Sequence, residues 1–214
     1  RKTAMIVKAL APDLVVKEFS GSHFGVGNVR SAVKLCEHYD AILVGPGLGL
    51  RAKGFVKEFM KMFRKKFPQK PLVLDADAVK VVDLKDLHYT VLTPNKREFS
   101  ILLKNSSVTE ETFQKSLGSN VVLRKGRRDV IYSLSQKKTN ETGVSRMTVA
   151  GTGDVLSGLV LGFVGQGKDL FQSGCVSAFL SGKIGERLQG QLGDYFLASD
   201  MLKDIALVLK KYTK

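Results

Sequence analysis

Short apolar runs alternate along this chain with stretches in which apolar residues recur every three or four positions, the two periods that mark strands and amphipathic helices. Runs at 14–16, 41–44, 72–74, 90–92, 121–123 and 130–134 read as strands, the last reached from its neighbour through Lys125-Gly126. Between them, residues 28–37 (with Asn28 as cap), 53–67, 78–82, 98–104 and 110–117 carry the helical period, and three more helices begin near Gly153, Asp169 and Ala198. Strands alternating with helices predict an α/β fold with a mostly parallel sheet covered on both faces, because a parallel connection must cross over the sheet. The 214 residues suffice for one full-sized core and are short for two, so 1–214 reads as a single domain.

The residues that interrupt these periods fall at strand ends. Gly45-Pro46-Gly47-Leu48-Gly49, Asp75-Ala76-Asp77, Thr93-Pro94-Asn95, Lys125-Gly126 and Gly151-Thr152-Gly153-Asp154 each follow an apolar run or open a helix. In a parallel sheet the strand C-termini share one edge, where open α/β folds bind ligands. Taken singly, GPGLG is also a tight turn, DAD a helix cap and TPN a strand exit. The stretch VAGTGDVLSG at 149–158 says most: glycines admit close approach of a ligand, and the free N–H groups of a helix's first turn attract phosphate. Asp154 is out of place beside a phosphate unless it takes a proton from a hydroxyl about to be phosphorylated. The basic turn Lys125-Gly126-Arg127-Arg128-Asp129 suits a nucleotide's phosphates, its plainer reading being a hairpin with solvated charges. The chain holds neither GxxxxGK[ST] nor a correctly spaced GxGxxG.

Composition narrows the class further. A hydrophobic fraction of 43% with 25% charged residues is that of a folded globular chain. No apolar run is long enough to span a bilayer, and the opening residues do not read as a signal peptide. Cys36 and Cys175 form no CxxC pair and read as free thiols of a reducing, cytoplasmic compartment, while His23, His38 and His88 lack metal-ligand spacing. The net charge of +14 raises the question of nucleic acid. Much of it lies at Lys53, Lys57, Lys61, Arg64, Lys65 and Lys66, interleaved with Phe55, Phe59, Met60, Phe63 and Phe67 at helical spacing. This is read as an amphipathic helix with a solvated basic face and core-facing aromatics, without nucleic acid as partner.

In order along the chain, GPGLG, LDADA (74–78), LTPNKREF (92–99), KGRRD (125–129), GTGDVLSG (151–158) and ASDM (198–201) resemble the nucleotide-dependent NAD(P)H-hydrate dehydratases of the ribokinase-like superfamily. The match runs through nearly the whole chain, and the ordered set is far more specific than any one motif. Asn95 and Asp129 are similar to the eukaryotic, ATP-using branch. The resemblance implies a three-layer α/β/α fold and a lyase that repairs hydrated NADH or NADPH: ATP, or ADP, with Mg²⁺, phosphorylates the ring hydroxyl, and loss of phosphate restores the double bond. It makes Asp154 the general base and the backbone around Gly151 and Gly153 the anion hole. Nucleotide binding falls to Lys125, Gly126, Arg127, Arg128, Asp129, Val144, Ser145, Arg146, Met147, Thr148, Val149, Ala150 and Thr152. Substrate binding falls to Gly47, Gly49, Asn95, Lys96, Arg97, Glu98, Phe99, Ser100 and Ile101, together with Asp154. Magnesium ligands are undefined, with Asp75 and Glu98 as candidate outer groups.

Two departures stand out. Family members begin with a further strand and helix, whereas this chain starts shortly before Ala11-Pro12-Asp13-Leu14, which implies a fold without that unit and with a sheet edge to be covered. Ser145-Arg146-Met147-Thr148-Val149-Ala150 also differs from the family's usual approach to GTGD. Homo-oligomers are common in the family, and self-association is one way to cover such an edge. The rival readings are a small-molecule kinase of the hydroxymethylpyrimidine or hydroxyethylthiazole type, which shares the sheet and a GxGD base, and a nucleotide-binding remnant without catalysis.

Overall fold

The computed structural model describes residues 2–212. Strands β1 (Ile42–Val44), β2 (Leu72–Leu74), β3 (Thr90–Leu92) and β4 (Val121–Arg124) run parallel, and β5 (Asp129–Tyr132) and β6 (Lys137–Asn140) extend the sheet as antiparallel hairpins, in the order β1-β2-β3-β4-β5-β6. Successive right-handed crossovers in one direction place the connecting helices on one face. These are α3 (Lys53–Lys66), α4 (Ala76–Val79) and α5 (Lys96–Asn105), joined on that face by α2 (Val29–Leu35), which precedes β1; their apolar residues share a core with Leu72, Leu74 and Leu92. The opposite face is covered by α6 (Thr152–Gly165) and α7 (Leu170–Leu192), which pack on Val73, Val91, Val121 and Leu123. Helix α8 (Ala198–Tyr212) lies against α6 and α7. The strand period of two therefore sorts Leu72 and Leu74 to one core and Val73 to the other.

On α3 the aromatics do face inward. Phe55, Phe59, Phe63 and Phe67 stack in series with centroids 5.4–5.5 Å apart, while Lys53, Lys57, Lys61 and Lys65 are exposed.

Several local expectations are corrected. Residues 14–16 form no strand: no ladder partner lies beside them among the described residues, and Leu14 and Val15 are exposed. Asn28 precedes α2 without capping it, because its carboxamide accepts from Gly25 N and donates to Ser20 O, closing a 3₁₀ turn instead. Residues 110–117 give only a 3₁₀ turn, Phe113–Ser116, and 78–82 shrinks to the single turn of α4. Two elements carry too weak a pattern to have been read. Strand β6 is polar and exposed along its first three residues, as suits a protected edge, and α1 (Lys2–Leu10) leaves Met5, Ile6 and Leu10 exposed.

Arg64 is the largest departure from the solvated-face reading. Its guanidinium donates to the carbonyls of Phe67 and Lys70 (3.2 and 2.7 Å), to Tyr89 O and to Thr90 Oγ1 (both 3.1 Å). Burial pushes its pKa down to about 10, so the group is still charged at neutral pH. It thereby ties the loop after α3 to the start of β3, at the sheet edge opposite the strand C-termini. Arg64→Met should lower stability in urea by roughly 2–4 kcal/mol, since it strands buried carbonyls that received charged donors. Lys61→Met, on the exposed face of the same helix, should change it by less than about 0.5 kcal/mol.

Candidate active site

Three of the interrupted strand ends meet at one ion pair. Asp75 follows β2, where its N–H donates to Val44 O and its C=O accepts from Ala78 N, both at 3.1 Å. Gly45 makes this approach possible, because a Cβ there would lie 1.7 Å from the Asp75 carbonyl oxygen. The Asp75 side chain is 2% exposed, and its Oδ1 stands 2.8 Å from Lys125 Nζ at the end of β4. The same ammonium lies directly against α6, with Nζ 3.1 Å from where a Cβ on Gly153 would stand. A side chain at 153 would displace it.

After Lys125 the turn closes on itself. Gly126 N–H donates to Asp129 Oδ1 at 3.1 Å, and Arg128 pairs with Glu141 on the neighbouring strand end at 3.3 Å. Burial raises the Asp129 carboxyl above the ordinary carboxylate pKa, against the opposing effects of Gly126 N–H, the Asn140 side chain and the Lys125 charge. Beside the turn opens a cleft of about 1300 Å³. Lys96, Lys125, Arg127 and Arg128 line it against only two acids, Asp129 and Glu141, so it favours a polyanion.

The wall from 141 to 153 is held by its own small residues and those of α7. Thr152 Oγ1 lies 2.7 Å from Met147 O and 2.9 Å from Val149 O, and Thr142 Oγ1 donates to Phe179 O at 3.1 Å. Gly182 and Gly185 let this loop settle on α7, as a Cβ at either position would lie 2.1 Å from Thr142 Oγ1 or 2.3 Å from Met147 Sδ. Gly151 adopts φ +94°, a conformation that glycine tolerates, and turns the chain into α6 where a Cβ would meet Ala198 at 2.9 Å. That contact accounts for the small residue that opens the ASDM segment. Asp154, in the first turn of α6, is exposed and has no hydrogen bond or ion pair through its carboxylate among the described residues.

The nucleotide set named from the sequence thus comes together: Lys125, Gly126, Arg127, Arg128, Asp129, Val144, Ser145, Met147, Thr148, Val149, Ala150 and Thr152 all line the cleft, with Gly151 and Gly153. Arg146 does not, and its buried Nε lacks a partner among the described residues. The substrate set divides. Asn95 and Lys96 reach the cleft, whereas Arg97 and Ser100 are exposed on α5 outside it. Phe99 is core, edge-on to Phe113 at 5.0 Å, and Ile101 lies on α5 away from the cleft. Glu98 is a buried cap: its Oε2 accepts from Asn95 N while Asn95 Oδ1 accepts from Glu98 N, both at 3.0 Å. Gly47 and Gly49 sit at the end of β1 with φ +70° and +75° and open space above them. Gly49 N–H donates to Asp77, whose carboxyl is held below its ordinary pKa chiefly by a hydrogen bond from Lys80.

Glu141, Thr142, Gly143, Leu156, Ser181 and Gly182 also line the cleft and were not foreseen. The available signal was the run of small residues in α7, Ser173, Gly174, Ser177, Ala178, Ser181, Gly182 and Gly185, which marks a face made for close approach. No group of three or more metal-ligating side chains exists among the described residues, and no helix there is long and apolar enough to cross a membrane. Asp75 is committed to Lys125 and Glu98 to its cap, so neither stands free as a metal ligand.

Sheet order, helix layers and a polyanion cleft at the N-terminus of α6 define a protein of ribokinase-like fold. A ribokinase-like superfamily protein from Enterococcus faecalis superposes with a TM-score of 0.82 at 24% identity, covering 99% of this chain and 75% of that one. A Bacillus subtilis ADP/ATP-dependent NAD(P)H-hydrate dehydratase, crystallised with ATP and Mg²⁺, superposes with a TM-score of 0.76 at 20% identity, covering 99% and 76%. A family model described as NAD(P)H-hydrate dehydratase matches residues 1–207, and the chain belongs to that family. A bifunctional NAD(P)H-hydrate repair enzyme of Methanothermobacter thermautotrophicus is 34% identical over 219 residues, which cover 96% of this chain but 42% of the relative. An ADP-dependent (S)-NAD(P)H-hydrate dehydratase of Natrialba magadii is 30% identical over 208 residues, covering 95% and 76%. The chain therefore spans less than half the length of the bifunctional relative. Neither match supports the placement in the eukaryotic, ATP-using branch, and the second relative is named for ADP.

The raised Asp129 pKa has a consequence for stability. Between the ordinary carboxylate pKa and the raised one the folded chain binds more protons than the unfolded chain, so stability falls as pH rises through that window. Asparagine keeps the acceptor for Gly126 N–H without the charge. Asp129→Asn should melt at or above the parent's Tm at pH 7, with the gap closing toward pH 4, as thermal melts would record.

Proposed function

We propose that this chain dehydrates the hydrates of NADH and NADPH, using the terminal phosphoryl group of ATP or ADP. The observation that carries the reading is the juxtaposition of Lys125 and the 151–153 turn, at the head of α6, with an unpaired carboxylate one residue further on. The family and the nucleotide named for its relatives support it.

In this reading the nucleotide lies in the cleft between the 125–129 turn and the 141–153 wall, its terminal phosphate against Lys125 and the N–H groups of the 151–153 turn. The hydrated nicotinamide approaches from the ends of β1 to β3, past Gly47, Gly49 and Asn95. Asp154 takes the proton of the ring hydroxyl. The freed oxygen attacks the terminal phosphorus, and the P–O bond to the departing nucleotide breaks with its electron pair. Lys125 and the backbone donors offset charge on the transferring group without rearranging, which is where most of the rate of such a transfer originates. The C–O bond of the resulting ester then breaks, phosphate leaving with its electron pair as a neighbouring ring proton is lost, which restores the double bond. Magnesium bound with the nucleotide would supply charge neutralisation on the phosphates. Free thiols, with Cys36 pushed up to about pKa 11 by burial, fit a reducing compartment, and we place the enzyme in the cytoplasm.

Incubation with hydrated NADH, Mg²⁺ and either ATP or ADP should restore NADH absorbance. Absence of recovery with both nucleotides would overturn the reading, and accumulation of a stable phosphorylated product would favour a small-molecule kinase. Asp154→Asn should lower turnover by about 10²-fold or more while ATP binding stays within about threefold; a mutant as active as the parent would remove Asp154 from the base role.

A further inference from the structure

Lys125 stands where simple electrostatics would not put it. The first turn of a helix is its positive end, and a cation there is disfavoured. Yet Nζ packs against the backbone at Gly153, in a gap that exists because residue 153 has no side chain. Nor does the lysine reach this position as a flexible arm from solvent. Its backbone N–H donates to Pro94 O at 2.8 Å, its side chain is 18% exposed, and Asp75 is its only side-chain partner among the described residues. Two of the three ammonium protons are thus uncommitted among the described residues, beside the 151–153 turn.

We propose that Asp75 is a positioning residue for phosphoryl transfer: it holds the Lys125 ammonium against the head of α6 before the nucleotide arrives. The inference rests on the phosphoryl-transfer reading above. Three features support it. Asp75 is itself immobile, its backbone hydrogen-bonded on both sides and its carbonyl packed on Gly45, so the carboxylate is a fixed point. It adds no net positive charge, since the pair is neutral; what it supplies is location. A free lysine side chain also carries rotamer entropy, which is lost before binding when the carboxylate pins it. An anion placed on the 151–153 turn then meets a cation already desolvated and aimed, and its arrival relieves the repulsion between ammonium and helix end.

Positioning and mere charge balance predict opposite outcomes. If Asp75 only neutralised Lys125, Asp75→Asn would leave a more positive site and tighter ATP binding. If it positions Lys125, the same change frees the ammonium to leave the helix end. The test is a double-mutant cycle of Asp75→Asn, Lys125→Met and the double variant, with thermal melts to establish folding; the double variant removes both buried charges together and so avoids an orphaned ion. Asp75→Asn should lower kcat by about tenfold or more with KM for the hydrate within about threefold. The double variant should be no slower than Lys125→Met alone, because Asp75 acts through the lysine. Unchanged kcat in Asp75→Asn, or losses that multiply in the double variant, would overturn the proposal. The cycle is also read on Mg-ATP affinity by calorimetry, where Asp75→Asn should weaken binding in the parent but not beside Lys125→Met, and tighter binding would sink the idea. Lack of hydrate turnover in the parent would refute the dehydratase reading, while the affinity cycle still decides the role of Asp75.

Discussion

A lysine ammonium held against the positive end of a helix by a buried carboxylate is the constraint around which this site is organised. Neither partner is free to move, because Asp75 is fixed by the β1 and α4 backbones and Lys125 by Pro94. The pair joins the ends of β2 and β4 to the head of α6, so it links the sheet edge to the opposite helical layer. Such an arrangement contributes little to stability on its own, since desolvating two charges offsets most of their attraction. Its value lies in holding charge where a phosphoryl group would need it.

Close approach of backbone is the second requirement, and glycine meets it at a few defined places. Gly45 admits the Asp75 carbonyl, Gly153 admits the Lys125 ammonium, and Gly182 and Gly185 admit the loop that forms the cleft wall. Each marks a contact between two elements far apart in sequence. The rigidity of the cleft follows from this packing and from Thr142 and Thr152, whose hydroxyls are spent on backbone carbonyls and so are occupied in shaping the wall.

Much of this was legible in the sequence, for physical reasons. Buried parallel strands must be apolar, so β1 to β4 declared themselves, and the punctuation after them located the ligand edge. The residues named for the nucleotide fall together along one cleft because backbone-lined phosphate sites need glycine and lysine in short local runs. Long-range pairings were illegible by the same logic. Nothing local distinguishes Asp75 as the partner of Lys125, or Arg64 as a buried staple in a helix full of solvated lysines. Strand β6 escaped because an edge strand needs no apolar alternation.

Sheet order then constrains how two large ligands can meet. Strands lie about 4.8 Å apart, so the ends of β1 and β4 are separated by roughly 14 Å. Gly47 and Gly49 mark one side of that span and the basic turn after β4 the other, with Asp75 between them. Because β5 follows β4 through a hairpin and runs antiparallel to it, the turn 125–129 stays at the same edge and walls one side of the cleft without a crossover helix in the way. Helix α6 enters from the other layer and brings its first turn to Lys125. A phosphate bound there would lie between the two halves of the edge, one residue before the exposed acid at position 154 in the first turn of α6.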